Sequence, residues 1–262
     1  MKLTSNSGLF NILLKSRIIN KKEKFKPLLK SNENNLCDII LIMDRQVKEK
    51  LRIALIFALN AGFMDGFSFF HFNDRFIGAQ SGNVIQAGIN IAKGDFARFW
   101  DFAIPIIFFI LGVMTRGFYS HYLMKRRRFD ASYLLLVQWL GVTIFALAYG
   151  LGLKIPVSFY VGIFSYFMAI QYDTFTKVHG RAYGSIFMTG NMKSMSANLA
   201  QYIITKDKQK LRSVGIYAAL ISIFFAGAAI ATLAGNWFGS WTMMGSTFMI
   251  GAVYLIVRFD EI

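Results

Sequence analysis

Two aspartates, Asp65 and Asp173, stand 108 positions apart in otherwise apolar runs. The same ungapped shift carries Phe67 onto Phe175, His71 onto His179 and Asn90 onto Asn198. It also carries Ser81-Gly82-Asn83 onto Thr189-Gly190-Asn191. The shared pattern is D-x-F-x3-H-x9-[ST]-G-N-x6-N, and agreement of polar and aromatic types at one offset marks an internal repeat. Carboxylates and amides in apolar surroundings are costly, and are candidates for a site by default. Gly82 and Gly190 permit a tight turn or a close backbone approach. Asn83 and Asn191 are placed to cap the helices that follow. Asn83, Gln86 and Asn90 fall at i, i+3 and i+7, on one helical face, as do Asn191, Ser194 and Asn198. Helix N-termini carry free N–H groups and suit anionic or carbonyl groups. These residues read as the polar lining of a substrate site. The same amides and hydroxyls also serve as glue between membrane helices, and the two readings are compatible.

Other charges within apolar runs are Arg116 and Lys193. Arg116 and Asp173 are expected to form a buried structural pair. His71 and His179 read as polar residues near span ends rather than as proton carriers. An intramembrane aspartyl enzyme using Asp65 and Asp173 would need the two carboxylates close together. Tyr172-Asp173 resembles half of such a motif, but no Gly-x-Gly-Asp partner follows, so no enzyme activity is expected. No zinc, Walker A or nucleotide-binding pattern occurs, and the single Cys37 makes no disulfide or Cys-rich metal site. No cofactor and no metal are therefore expected.

The elements that must hold these residues are apolar. Of 262 residues, 55% are hydrophobic and 16% charged, with 27 phenylalanines. Soluble domains are nearer a quarter charged, so the composition rules out a disordered chain and speaks against a soluble globular domain. The net charge of +15 reads as cytoplasmic-side anchoring rather than nucleic-acid binding, because basic loops resist translocation. Six segments are long enough to span a bilayer: Leu51–Phe72, Phe102–Leu123, Ser132–Gly152, Pro156–Val178, Val214–Ala234 and Trp241–Val257. Pro105 and Pro156 are expected in first helical turns, where a missing N–H costs nothing. Two more segments, Phe76–Ala92 and Tyr183–Tyr202, are helix-like but too polar to face lipid. Basic residues lie before Leu51, at Lys125–Arg128, around Lys206–Arg212 and at Arg258. All fall on one side if the polar segments make no net crossing. The expected topology has both termini cytoplasmic, six spans and two re-entrant or broken helices; two full polar spans are the alternative.

Residues 1–50 hold eleven Lys/Arg and five Asp/Glu and read as a basic, disordered cytoplasmic tail. No signal peptide is expected there, and Met43 offers a second start just before the first span. Residues 51–152 and 153–258 are the two membrane repeats. Each carries an odd number of net crossings, so the second is inverted relative to the first. That arrangement is common in transporters, with the site near the midplane.

At Ala61-Gly-Phe-Met-Asp65, Ser81-Gly-Asn83, Gln171 and Thr189-Gly190 the chain resembles the YoaK-like family of bacterial membrane proteins, over about Leu51 to Val257. The resemblance implies an integral protein of the bacterial cytoplasmic membrane and supplies no substrate. The function expected is a small-solute transporter or channel, all-α and polytopic. Its substrate-binding residues would be Asp65, Ser81, Gly82, Asn83, Gln86, Asn90, Asp173, Thr189, Gly190, Asn191 and Asn198. Its partners would be the lipid bilayer and an unidentified small molecule or ion, with no nucleic acid and with oligomerisation left open. The alternative is a structural or regulatory membrane protein without transport.

Overall fold

A computed structural model describes residues 49–125 and 131–261. The basic tail, Cys37, Met43 and Arg126–Arg128 of the basic loop lie outside the described residues. The described chain is helical apart from one two-residue hairpin. Its elements are α1 (Leu51–His71), α2 (Gln80–Ala92), α3 (Phe96–Lys125), α4 (Ala131–Gly150) and α5 (Val157–Thr174). The hairpin follows, with β1 (Lys177–Val178) paired antiparallel to β2 (Arg181–Ala182). Then come α6 (Met188–Thr205), α7 (Lys208–Phe238), a 3₁₀ turn at Gly239–Met243, and α8 (Met244–Glu261).

Four stretches are long and apolar enough to cross a membrane: Leu51–His71, Phe96–Tyr122, Ser132–Gly150 and the 52-residue Lys208–Phe259. The last comprises α7, the 3₁₀ turn and α8. Helix α5 is also apolar but has only 18 residues, ending in polar Gln171, Asp173 and Thr174. Within the 18 most apolar consecutive residues of each stretch, 67% are buried in α1, against 22–28% in the other three. Helix α1 is therefore the central post, and the rest present apolar side chains outward. Exposed Phe118, Ile144, Phe225, Leu233 and Phe248 are what a lipid-facing surface requires and what water would penalise.

Packing recurs in two halves. Helix α1 packs on α7 and α5 on α3; α2 packs on α3 and α6 on α7; α4 packs on α5 and α8 on α1; α4 and α8 pack on each other. Exchanging α1 with α5, α2 with α6, α3 with α7 and α4 with α8 leaves this set unchanged. The centre of the α4–α8 contact is Trp139 stacked on Tyr254, with centroids 6.0 Å apart. These two positions stand 115 apart, as do Gly112 and Gly227, because the second copy holds about seven extra residues after Asn198.

Glycines allow the close crossings. A Cβ on Gly62 would lie 2.0 Å from the Phe224 carbonyl oxygen, and one on Gly227 would lie 2.2 Å from that of Leu59. On the other side, a Cβ on Gly112 would lie 2.3 Å from the Tyr166 carbonyl oxygen. Backbones this close need small residues at the interface.

Several boundaries differ from expectation. Helix α3 starts at Phe96, so Pro105 is internal to the helix rather than in its first turn; it removes the hydrogen bond to the Asp101 carbonyl. Pro156 is the N-cap of α5, one position before the expected first turn. Helix α5 stops at Thr174 instead of Val178, because the chain turns into the hairpin. There the N–H of His179 donates to the Glu49 carbonyl (2.9 Å) and that of Gly180 to the Glu49 carboxylate (2.7 Å).

Candidate functional site

The repeated residues make repeated bonds. The N–H of Phe76 donates to Asn83 Oδ1 (2.9 Å), and Asn83 Nδ2 donates to the Phe76 carbonyl (2.7 Å). In the second copy the N–H of Gly184 donates to Asn191 Oδ1 (3.2 Å), and Asn191 Nδ2 donates to the Gly184 carbonyl (2.8 Å). Asn90 Nδ2 donates to the Gln86 carbonyl, and Asn198 Nδ2 to the Ser194 carbonyl, both at 2.7 Å. Every pair of partners is related by the 108-residue offset.

These bonds revise the expected roles. Ser81-Gly82-Asn83 and Thr189-Gly190-Asn191 are not turns, because α2 begins at Gln80 and α6 at Met188. Asn83 and Asn191 do not cap the helices that follow them. Each reaches seven residues back and binds both backbone groups of one loop residue, tying the entry loop to the helix. Gly82 is needed by the ring of Phe76, which would lie 2.5 Å from a Cβ there; Gly190 faces open space. Ser81 and Thr189 are exposed, as are Gly190 and Lys193.

On α2 the polar face is turned inward and the apolar face outward. Asn83 and Asn90 are buried and Gln86 half-buried, whereas Val84, Ile85, Ile89 and Ile91 are exposed. A helix in water shows the reverse pattern. On α6 only Asn191 is buried, with Ser194 and Asn198 half-buried.

The two entry loops meet at equivalent residues. A Cβ on Gly78 would lie 2.9 Å from Ile186 Cγ2 and 3.0 Å from Asp65 Oδ2. Asp65 is buried, and its Oδ1 accepts from the N–H of Gly78 (2.6 Å) and of Ala79 (3.4 Å). The α1 carboxylate thus holds the start of α2, where free N–H groups concentrate. Gln80 Nε2 reaches across to Ser165 Oγ of α5 (3.3 Å).

The second carboxylate behaves differently. Arg116 Nε lies 3.3 Å from Asp173 Oδ2, with side chains 26% and 33% exposed. The pair expected to be buried is therefore partly open, because Asp173 occupies the last turn of α5. The two aspartates have separate partners, a loop backbone and a guanidinium. Asp173→Asn is expected to lower stability by only about 1 kcal/mol, as for exposed ion pairs. Thermal unfolding in detergent would measure it, and a loss several times larger would mean that the pair is shielded.

A cleft of about 580 Å³ opens elsewhere, between the end of α1, the following loop and the start of α3. Asp74, Arg75, Asp95, Arg98 and Asp101 line it, with Phe69 and Phe70. Arg75 is buried, pairs with Asp101, donates to the Phe72 carbonyl (2.7 Å) and lies 5.8 Å from the Phe102 ring centre. Asp95 Oδ1 accepts from the Arg98 N–H (3.0 Å) at the start of α3. None of the residues expected to bind substrate lines this cleft. Arg75 and Asp101 escaped the sequence reading because they sit at the edges of apolar runs, 26 positions apart. A signal was present in Asp74-Arg75, a charged pair wedged between an apolar segment and a polar one. Among the described residues no group of three or more His, Cys, Asp or Glu is placed to hold a metal ion.

Apolar helices of this length, with apolar faces outward and amides inward, define a membrane protein. The chain belongs to the family described as "Protein of unknown function (DUF1275)", whose model matches residues 53–256. The match spans the helical body from α1 to α8 and agrees with the expectation of a family without an assigned function. No curated protein and no solved structure matches the chain.

Proposed function

We propose that the protein is a carrier or channel for a small polar solute in the bacterial cytoplasmic membrane. In this reading α1, α3, α4, α5, α7 and α8 are the six spans, and α2 and α6 are re-entrant. The two halves are inverted, both termini are cytoplasmic, and the solute site lies where the halves meet. The observation that supports it best is the convergence of the two entry loops at Gly78 and Ile186 beside buried Asp65. Buried polar helix starts at a repeat interface are the common construction of transporter sites. Asn83 and Asn191 fix the entry loops of that site, while Asn90 and Asn198 bond within their own helices.

Flux into sealed proteoliposomes, measured against a panel of small metabolites and ions, tests the reading. Saturable or ion-selective uptake is expected, and Asp65→Asn should alter it while leaving insertion intact. Impermeant labelling should place Gly94 outside and Lys208 inside; the same side for both would end the six-span topology. A structural or regulatory protein without transport is the second reading. The tight Gly78–Ile186 contact favours it, since no solute fits between those residues as they stand. Absence of flux for every solute in the panel would support this alternative.

A further inference from the structure

We propose that Asp65 is a proton-binding site, with the proton carried on Oδ2 and exchanged with water. The proposal deepens the transport reading, because it names the coupling ion at the same locus. Asp65 is 4% exposed. Its Oδ1 is occupied by the Gly78 and Ala79 N–H groups, whereas Oδ2 is buried and has no hydrogen-bond partner. An ionised carboxylate there keeps one oxygen without a donor in an apolar interior, a cost that the N–H groups of Ile77, Gly78 and Ala79 offset only in part. Protonation removes that cost: Oδ2 gains one proton from a hydronium ion and water is released, and the reverse step returns the carboxylate.

The ionisable groups on the neighbouring elements leave this assignment in place: on α4 and α5 they are Tyr149, whose ring meets Phe67 and Phe72, Tyr160, which donates to the Leu153 carbonyl, and Tyr172, whose ring meets Phe187. Helix α7 meets α1 through Phe224, Gly227 and Ala228, all apolar. Its own ionisable residues, Lys208, Lys210, Arg212 and Tyr217, lie near its start, where Tyr217 donates to the Ala182 carbonyl. The 3₁₀ turn and α8 present Met243 and Gly245 to α1, near Phe63; Tyr254 and Arg258 lie farther along α8. In the loop after α1, Asp74 lies 3.8 Å from Arg98, and Arg75 is held by Asp101. Tyr183 packs with Ala54 and Ala58, two to three turns away along α1. On α1 itself, His71 stacks on Phe67. The ion pairs of the described residues use other acids.

A metal cation fits less well. Hard cations need several oxygen ligands, whereas among the described residues no group of three or more His, Cys, Asp or Glu is placed to hold one. The equivalent Asp173 pairs with Arg116. The two copies have thus diverged into one carboxylate held by a cation and one without a cation.

Infrared difference spectroscopy of the full chain in lipid, titrated from about pH 5 to pH 8, tests the assignment without requiring transport. A carboxylic C=O band should appear toward acid pH, shift on 4-¹³C-aspartate labelling and vanish in Asp65→Asn. Asp65→Asn keeps an oxygen for the Gly78 and Ala79 N–H groups, and Asp173→Asn should retain the band. If Asp65→Asn does not fold, Asp65→Glu decides: its carboxylic band should no longer shift on 4-¹³C-aspartate labelling. No aspartate C=O band at any pH, or a band that never titrates, overturns the proposal. A band that responds to sodium at fixed pH replaces the proton by a metal cation and also overturns it. A titrating band in a protein without flux would retire the carrier reading and leave the proton site standing.

Discussion

Gly62→Ala is expected to destabilise the protein by about 3 kcal/mol, the upper end of the cost of overpacking a close contact. A Cβ there would lie 2.0 Å from the Phe224 carbonyl oxygen and 2.8 Å from its carbon. Both are backbone atoms, so no side chain can rotate away and the α1–α7 crossing itself must open. Gly227→Ala should cost as much, since its Cβ would lie 2.2 Å from the Leu59 carbonyl oxygen and 2.9 Å from the Phe63 nitrogen. Gly88 and Gly190 have nothing within 4 Å of a Cβ. Alanine at either helical position should be neutral or slightly stabilising, because glycine weakens a helix interior by about 1 kcal/mol. Thermal unfolding of the four variants in one detergent separates the classes. A melting temperature for Gly62→Ala equal to that of Gly88→Ala would show that α1 and α7 do not cross this closely.

Gly62-x-x-x-Gly66 has the spacing that lets membrane helices approach closely, but nothing local in the sequence says which helix a glycine faces. The apolar runs were far more legible. Leu51–His71 and Ser132–Gly150 match the expected segments within a residue or two, since length and hydropathy are local properties. The additional start of α3 was not legible: Phe96–Asp101 carries Arg98 and Asp101, and only the cleft beyond α1 gives those charges partners. The 108-residue repeat was readable because both copies keep the same side-chain chemistry. What Asn83 and Asn191 do with that chemistry was not. A cap acts within two or three residues and can be read locally, whereas these amides close a loop seven residues long. Asp65 and Asp173 looked interchangeable by position, yet their partners depend on whether an arginine stands opposite. Arg116 does so for Asp173, while the residue that aligns with Arg116 in the second half is Ala231, which is fully buried.

The Asn clamp makes the repeat testable as energetics. Asn83→Ala leaves the N–H and C=O of Phe76 without the amide and frees Gln80 Oε1, which accepts from Asn83 Nδ2 at 2.8 Å. An unsatisfied buried polar group costs about 1–3 kcal/mol, and two backbone groups are involved, so a loss of about 3 kcal/mol is expected. Asn191→Ala should remove the same two backbone bonds, at Gly184. Its third contact is only to Met188 Sδ at 3.6 Å, so its loss should be equal or somewhat smaller. Asp at either position keeps the acceptor and loses the donor, and should fall between asparagine and alanine. The loops at Phe76 and Gly184 lead to the Gly78–Ile186 contact, so each alanine variant should also raise amide hydrogen exchange at both loops rather than at one. Exchange that rises only in the mutated half would mean that the halves share a pattern without sharing a site. Loss of stability with coupled exchange would mean that the two entry loops act as one structural unit, held together by Asn83 and Asn191 around Asp65.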